Sequence, residues 1–492
     1  MKPTILFLIF LTHLSLAQSN RTPLPRLMAQ PDGHYLQTET GRPFFWMGDT
    51  CWELFHRLNR QEAEEFLEIR RQQRFNVIQA VALAEFDGLT QPNAHGDLPL
   101  VNLDPTRPAV TPGTNPANPD QYDYWDHVDF IVQRAADKGM YVALLPTWGD
   151  KVTKDWGAGP VVFTEQNART YGEWIGRRYA RFSNVIWMLG GDRPATLTEA
   201  EAARRKREPY DHRPLWRAMA EGIRASLGPN VPMLITYHTW GGGYRTSQEM
   251  GTENWLAMNT MQSGHGGGHD RPVWEWVEED WNKMPTKPTL DAEPNYDDHP
   301  VNPWPKWERA NGYFNAYDVR KQTWRSVLAG GAGVTYGHHF IWQFFDPKRP
   351  PVNNGDTLIV WRQAARAEAA GQMQHLRNLI ESRPQFNRIP DQSLLASPNG
   401  RGGEHIRACR GSDGSYAFVY LPQNKPVTIN LEKMSGKQVT AYWYDPRTSA
   451  ATSIGTFTRE PMREFVPPTT GADWVLVLDD TSRGFGVPGK RP

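Results

Sequence analysis

Between Phe44 and His339 the chain repeats one pattern eight times: a short, continuously apolar run, then a longer amphipathic or loop-rich stretch. This repetition restricts the possible folds more than any other feature. The apolar runs are Phe44–Thr50, Asn76–Leu83, Tyr141–Trp148, Asn184–Leu189, Pro232–His238, Asn259–Gly264, Pro288–Ala292 and Gly333–His339. Continuous apolar character belongs to strands buried on both faces, as in a parallel sheet covered by helices. The spacing between runs predicts helices over Arg60–Gln73, Tyr124–Lys138, Asn167–Phe182, Pro214–Leu227, Pro272–Met284, Tyr317–Leu328 and Ala369–Ser382. Asn59 suits the N-cap of the first, and Gly139 the position just past the end of the second. Eight βα units predict an α/β fold, a (β/α)8 TIM barrel, with large insertions such as the Pro-, Asn- and Gly-rich stretch 85–122. A doubly wound sheet fits less well, because no Gly-rich nucleotide fingerprint follows the first strand.

After Arg388 the texture changes. Val, Thr and Tyr alternate with polar residues over Ser415–Leu421, Val427–Leu431, Gln438–Tyr444 and Asp473–Leu478, with turn residues between them. Residues 18–388 therefore read as the barrel and 389–492 as a small antiparallel β-sandwich domain. Residues 1–17 read as a signal peptide: Lys2, an apolar stretch from Ile5 to Leu16 too short to span a bilayer, and small residues at Ser15 and Ala17. The mature chain is expected to be exported, periplasmic or extracellular, with no later membrane span. A net charge of zero without Lys/Arg blocks argues against a nucleic-acid partner. The two cysteines, Cys51 and Cys409, fall in different domains and read as buried free thiols. A monomer is expected.

In such barrels the chemistry sits at the carboxyl ends of the strands. Collecting strand ends gives Asp49, Gln79, Trp148, Asp192, His238, Gln262, Glu293, His338 and His339, with Trp52 and Trp342 close by. This set is polar and aromatic, which suits a sugar: hydroxyls need hydrogen-bonding partners, and C–H faces lie well on aromatic rings. Core packing accounts for many of the 20 tryptophans, but Trp342 and Trp148 are candidate stacking platforms. Asp192 ends the fourth strand and Glu293 follows the seventh, roughly across the barrel mouth. Acetal hydrolysis needs a proton for the leaving oxygen and an anion at the anomeric carbon. Asp192 is therefore the candidate acid/base and Glu293 the candidate nucleophile. Asp291 competes with Glu293; strand alternation puts both on one face, with Asp291 a layer deeper. Of His338 and His339, alternation allows only one to point into the mouth. No metal-ligand spacing occurs, and neither metal nor cofactor is expected.

The runs Trp46-Met-Gly-Asp-Thr50, Phe75-Asn-Val-Ile-Gln-Ala80, Leu144-Leu-Pro-Thr-Trp-Gly-Asp150, Trp187-Met-Leu-Gly-Gly-Asp-Arg-Pro194, Leu290-Asp-Ala-Glu-Pro294 and Val334-Thr-Tyr-Gly-His-His339 resemble the apiosidase-like catalytic domain of glycoside hydrolase family 140. The last part resembles the collagen-binding β-domain that follows it. The resemblance implies a retaining-glycosidase barrel with acid/base after strand four and nucleophile after strand seven, here Asp192 and Glu293. It also implies release of apiose from the pectic polysaccharide rhamnogalacturonan II, a polysaccharide or oligosaccharide being the partner. Many relatives in the wider clan carry Asn-Glu-Pro after strand four; this chain has Gly-Asp-Arg-Pro, with a shorter acid and no Asn beside it.

Two other readings differ in class. A barrel that binds carbohydrate or collagen without cleaving it would not need both strand-end carboxylates. A metal hydrolase would need a ligand motif that is missing.

Overall fold

The computed structural model describes residues 22–31, 33–153, 155–351 and 356–490. The leader expected at 1–17 lies outside the described residues. Eight parallel strands appear where the apolar runs predict them: β1 (Trp46–Thr50), β2 (Val77–Val81), β3 (Tyr141–Leu145), β4 (Val185–Gly190), β5 (Ile235–His238), β6 (Asn259–Met261), β7 (Thr289–Asp291) and β8 (Gly333–Tyr336). They do not form one continuous ladder. Six make a curled parallel sheet in the order β5-β4-β3-β2-β1-β8, and β6 pairs with β7 apart from it. Single backbone bonds join the two groups, Ala257 N–H donating to Ile235 O at 2.9 Å and Ala332 N–H to Thr289 O at 2.8 Å, and the Thr236 and Thr260 hydroxyls add bonds to Met258 O and Tyr237 O. The strands of the pair are only three residues long, too short to extend a ladder around the ring.

Helices follow the strands and cover the outside of the sheet: α1 (Arg60–Gln72), α2 (Tyr124–Asp137), α3 (Glu165–Tyr179), α4 (Arg213–Leu227), α5 (Thr246–Glu249), α6 (Val273–Trp281), α7 (Ala316–Leu328) and α8 (Glu368–Glu381). Asn59 caps α1 in a reciprocal box with Glu62, as its sequence predicts. Helix α3 starts at Glu165 rather than Asn167 because Thr164 is the cap; the Asn167 side chain returns a bond to the Thr164 N–H. Phe66 and Leu67 on α1, Val128 and Ile131 on α2 and Ile175 on α3 are buried against the sheet. Each side chain of this size contributes about 1.5–3 kcal/mol when withdrawn from water. No helix among the described residues is long and apolar enough to cross a membrane.

Strand β8 ends at Tyr336, before the two histidines. His338 and His339 therefore lie in the following turn, where strand alternation does not apply, and both are buried.

Among the described residues the C-terminal domain has eight strands, where the sequence marks four. Six form an antiparallel sheet: Arg388–Pro390, Arg407–Gly411, Tyr416–Leu421, Trp474–Asp480, Gln438–Tyr444 and Ala451–Thr458, in that order. Val427–Ile429 and Arg463–Phe465 form a separate antiparallel pair that closes one face. The other face, through Cys409, Phe418, Tyr420 and Val477, packs on Trp324 of α7 and Leu376 of α8. Buried ion pairs lock the contact. Arg320 of α7 donates to both oxygens of Asp473 at 3.1 and 2.9 Å, and Tyr420 adds its hydroxyl to Asp473 at 3.0 Å. Arg383 grips Asp479 in the same two-pronged way.

Asp473→Ala strands the Arg320 charge in this interface and is expected to cost about 3–5 kcal/mol. Urea denaturation should show barrel and β-domain unfolding in one transition in the natural protein, with the midpoint lowered in the variant.

Candidate active site

The site grows from the carboxyl ends of β4, β5 and β7. After β4 the chain must turn sharply. Gly190 and Gly191 supply φ values of +85° and +127°, and Asp192 itself sits at +50°. At Gly191 the Trp148 ring and the Gly149 amide pack so closely that a side chain would collide with them. The Gly-Gly pair thus sets Asp192 on a tight left-handed turn at the rim. Its carboxyl is 22% exposed, the opening a substrate needs. Oδ2 accepts the indole N–H of Trp156 and a guanidinium N–H of Arg193, both at 3.2 Å. Burial pushes the Asp192 carboxyl up, Arg193 pulls it down and the charge of Glu293 pushes it up again, leaving it at about 6.

Glu293 is buried and faces two histidines. His238 Nε2 lies 3.2 Å from its Oε2, and His265 Nε2 lies 3.3 Å from its Oε1. The far nitrogens fix the protons. His238 Nδ1 accepts the backbone N–H of Asp192 at 3.3 Å, and His265 Nδ1 accepts that of Tyr296 at 3.5 Å. A nitrogen that accepts carries no proton in the neutral ring, so both rings present Nε2–H to Glu293. Burial alone would raise the Glu293 carboxyl; the two histidines outweigh it and hold it at about 2. His238 therefore touches both candidates, the amide of one and the carboxylate of the other.

Several residues named from sequence gather here. Trp52 meets His238 edge-on at 5.2 Å and donates its indole N–H to the Tyr296 hydroxyl at 3.2 Å. Trp148 lies 5.1 Å from Trp52 and 5.5 Å from His238. Gln79 donates to Ala292 O at 3.0 Å, fixing the backbone next to Glu293 from below. Trp342 belongs to the same buried cluster as Trp52 and Trp148. Gln262 is buried at the end of β6, just before Gly264, whose N–H donates to Glu293 O at 2.9 Å.

Others do not join. Asp49 is fully buried and paired with Arg70 of α1 at 2.5 Å, with the Cys51 thiol donating to it at 3.4 Å. It faces the helix layer, not the mouth, because residues in β1 alternate between the two sides. Asp291 also faces outward: it accepts the Ser263 N–H and hydroxyl at 3.1 and 2.6 Å, and Ser263 in turn takes Gln322 of α7. The expectation that it shares a face with Glu293 fails because β7 stops at Asp291 and the chain turns before Glu293. His338 pairs with Asp298 at 3.1 Å. His339 packs edge-on against His299 at 4.6 Å, and His299 stacks on His265 at 3.7 Å. Both are supports behind the cluster. No group of acidic, His and Cys residues among the described residues could hold a metal.

Sequence reasoning missed His265, Tyr296, Trp156 and Glu85. All lie beyond strand ends, in loops where periodicity gives no signal. Glu85 shares Arg193 with Asp192, at 3.4 Å; burial pushes its carboxyl up to about 8.

Residues 30–387 match the model of the apiosidase-like catalytic domain, and 389–479 that of the domain described as “Putative collagen-binding domain of a collagenase”. A solved structure titled “Glycoside hydrolase” is 31% identical over 93% of this chain and 97% of its own, with a TM-score of 0.78. A glycoside hydrolase family 5 structure from Bacteroides vulgatus is 30% identical over 93% of this chain and 94% of its own, with a TM-score of 0.79. No curated protein sequence matches the chain.

The lowered Glu293 carboxyl links to stability. The unfolded chain takes up this proton first, so stability should fall as pH drops from the ordinary glutamate range toward about 2. His265→Ala removes one of the two N–H groups and should flatten that fall. Denaturant titrations of both proteins across this window read the difference.

Proposed function

This chain belongs to the apiosidase-like family of glycoside hydrolases, and we propose that it is a retaining enzyme that releases apiose from rhamnogalacturonan II, a pectic polysaccharide of plant cell walls. The proposal includes a (β/α)8 barrel over residues 18–388 and export directed by residues 1–17. One observation carries the catalytic assignment: His238 joins the two carboxylate residues in one site, its Nδ1 accepting the Asp192 amide at 3.3 Å and its Nε2 lying 3.2 Å from Glu293, with Asp192 pushed up and Glu293 held down. An anion and an acid in one mouth are what a two-step displacement requires.

In the first step Glu293 attacks the anomeric carbon and forms a glycosyl ester. The bond to the leaving oxygen breaks, and that oxygen takes the proton of Asp192. In the second step Asp192, now a carboxylate, takes a proton from water. The water oxygen bonds to the anomeric carbon, and the ester to Glu293 breaks. His238 and His265 hold the attacking carboxylate oriented and charged. Trp342, the least buried of the three tryptophans, is the candidate platform for a sugar ring, and Trp52 and Trp148 pack behind His238.

Glu293→Gln should abolish turnover and leave the folded state intact by circular dichroism; retained activity sinks the nucleophile assignment. Asp192→Asn should lower kcat on the polysaccharide by about 10²–10⁴-fold, the worth of a positioned general acid. The natural enzyme should lose activity above pH about 6 as Asp192 gives up its proton. Chromatography of the products from rhamnogalacturonan II oligosaccharides identifies the sugar: free apiose is expected, and another monosaccharide would keep the mechanism and change the substrate.

A further inference from the structure

The rim beside Asp192 carries two aromatic rings in contact, sandwiched between two cations, that the reaction scheme leaves unused. The Arg193 guanidinium lies 3.8 Å over the Trp156 ring. Trp156 packs against Trp240, with centroids 5.3 Å apart. The Arg205 guanidinium lies 3.7 Å over Trp240. Tyr244 flanks Trp240 at 5.1 Å, accepts from Arg205 at 2.8 Å and donates to Glu201 at 2.6 Å.

Arg205 ends a short helix, Glu199–Arg205, inserted between the paired segments Thr196–Leu197 and Tyr210–Asp211. This insertion also grips the residue before Trp156: Arg207 donates to Asp155 O at 2.7 Å, and the Tyr210 hydroxyl to the Asp155 carboxylate at 3.0 Å. Arg193 adds a bond to Trp156 O at 2.8 Å and one to Asp192 O at 2.7 Å. Trp156 is thus held at its ring, its carbonyl and its neighbour, and its single N–H ends on Asp192 Oδ2.

We infer that Trp156 and Arg193 are positioning residues for Asp192, and that the 196–211 insertion holds them in place through the stack ending at Arg205. The inference rests on the reading of Asp192 as acid. Both donors end on Oδ2; among the described residues none reaches Oδ1. An oxygen that accepts two N–H bonds is a poor site for a proton. The proton therefore sits on Oδ1, in one orientation, aimed at the leaving oxygen. This device takes over the fixing of the acid in a chain that carries Gly-Gly ahead of it, where neighbouring side chains cannot help.

The test has an arm that needs no substrate. Tryptophan difference fluorescence against pH should show a transition with a midpoint at about 6 in the natural protein. It should vanish in both Trp156→Phe and Asp192→Asn. In Arg205→Ala the midpoint should move upward, because a loosened N–H stabilises the carboxylate less. Arg204→Ala removes the same charge from the same helix without touching the stack and should leave the midpoint in place. Arg205→Lys should restore much of the natural behaviour. In the kinetic arm, Arg205→Ala should lower kcat about tenfold on glycosides with poor leaving groups and spare those with activated aryl leaving groups, a fraction of what general acid catalysis is worth. The inference is overturned if Trp156→Phe keeps the fluorescence transition, or if Arg205→Ala behaves like Arg204→Ala. Absence of glycosidase activity with the transition intact would instead overturn the assigned reaction and leave the positioning in place.

Discussion

His238 ties the site together. One ring nitrogen accepts the amide of Asp192 and the other faces the carboxylate of Glu293. The ring can do both only as a neutral imidazole with its proton on Nε2. That single tautomer stabilises charge on one carboxylate and anchors the turn that carries the other. His265 repeats the arrangement from the opposite side, accepting the Tyr296 amide and presenting its proton to Glu293. The two histidines together hold Glu293 ionised against its burial. Hydrogen bonds to a buried carboxylate are stronger than in water.

Donors of this kind work only if they do not move. Behind His265 lies a stack with His299, and His299 is braced by His339. Behind the helices lies the β-domain, fastened through Arg320 and Asp473 and through Arg383 and Asp479. The β-domain thus reads as a buttress on α7 and α8. It shares a hydrophobic cluster with the outer face of β8, where Val334 and Tyr336 pack. A charge left unpartnered in that contact would be felt in the sheet that holds the site.

Much of this was legible in the sequence. Apolar runs located all eight strands, because burial on both faces leaves no polar positions to confuse the period. Asp192 and Glu293 could be found because each follows such a run directly. What failed was local. Asp49 reads as a rim carboxylate, yet strand alternation turns it toward Arg70, a residue on α1 that only the fold brings near. Alternation puts Asp291 and Glu293 on one face, but the strand ends between them. His338 and His339 lie in a turn, where a strand's period does not apply. His265 and Trp156 are invisible to periodicity because loops set their direction, and loops follow tertiary contacts rather than any repeat. Eight βα units predict a closed barrel, but β6 and β7 are too short to carry the ladder around, and the sheet is not continuous.

In the proposed reaction Glu293 carries the glycosyl group between the two steps. Acid-quenching the enzyme during turnover on rhamnogalacturonan II oligosaccharides, followed by intact mass and peptide mapping, tests it directly. An added glycosyl residue is expected on the peptide containing Glu293. An adduct on a different carboxylate, or no adduct with a product of inverted configuration, would contradict it.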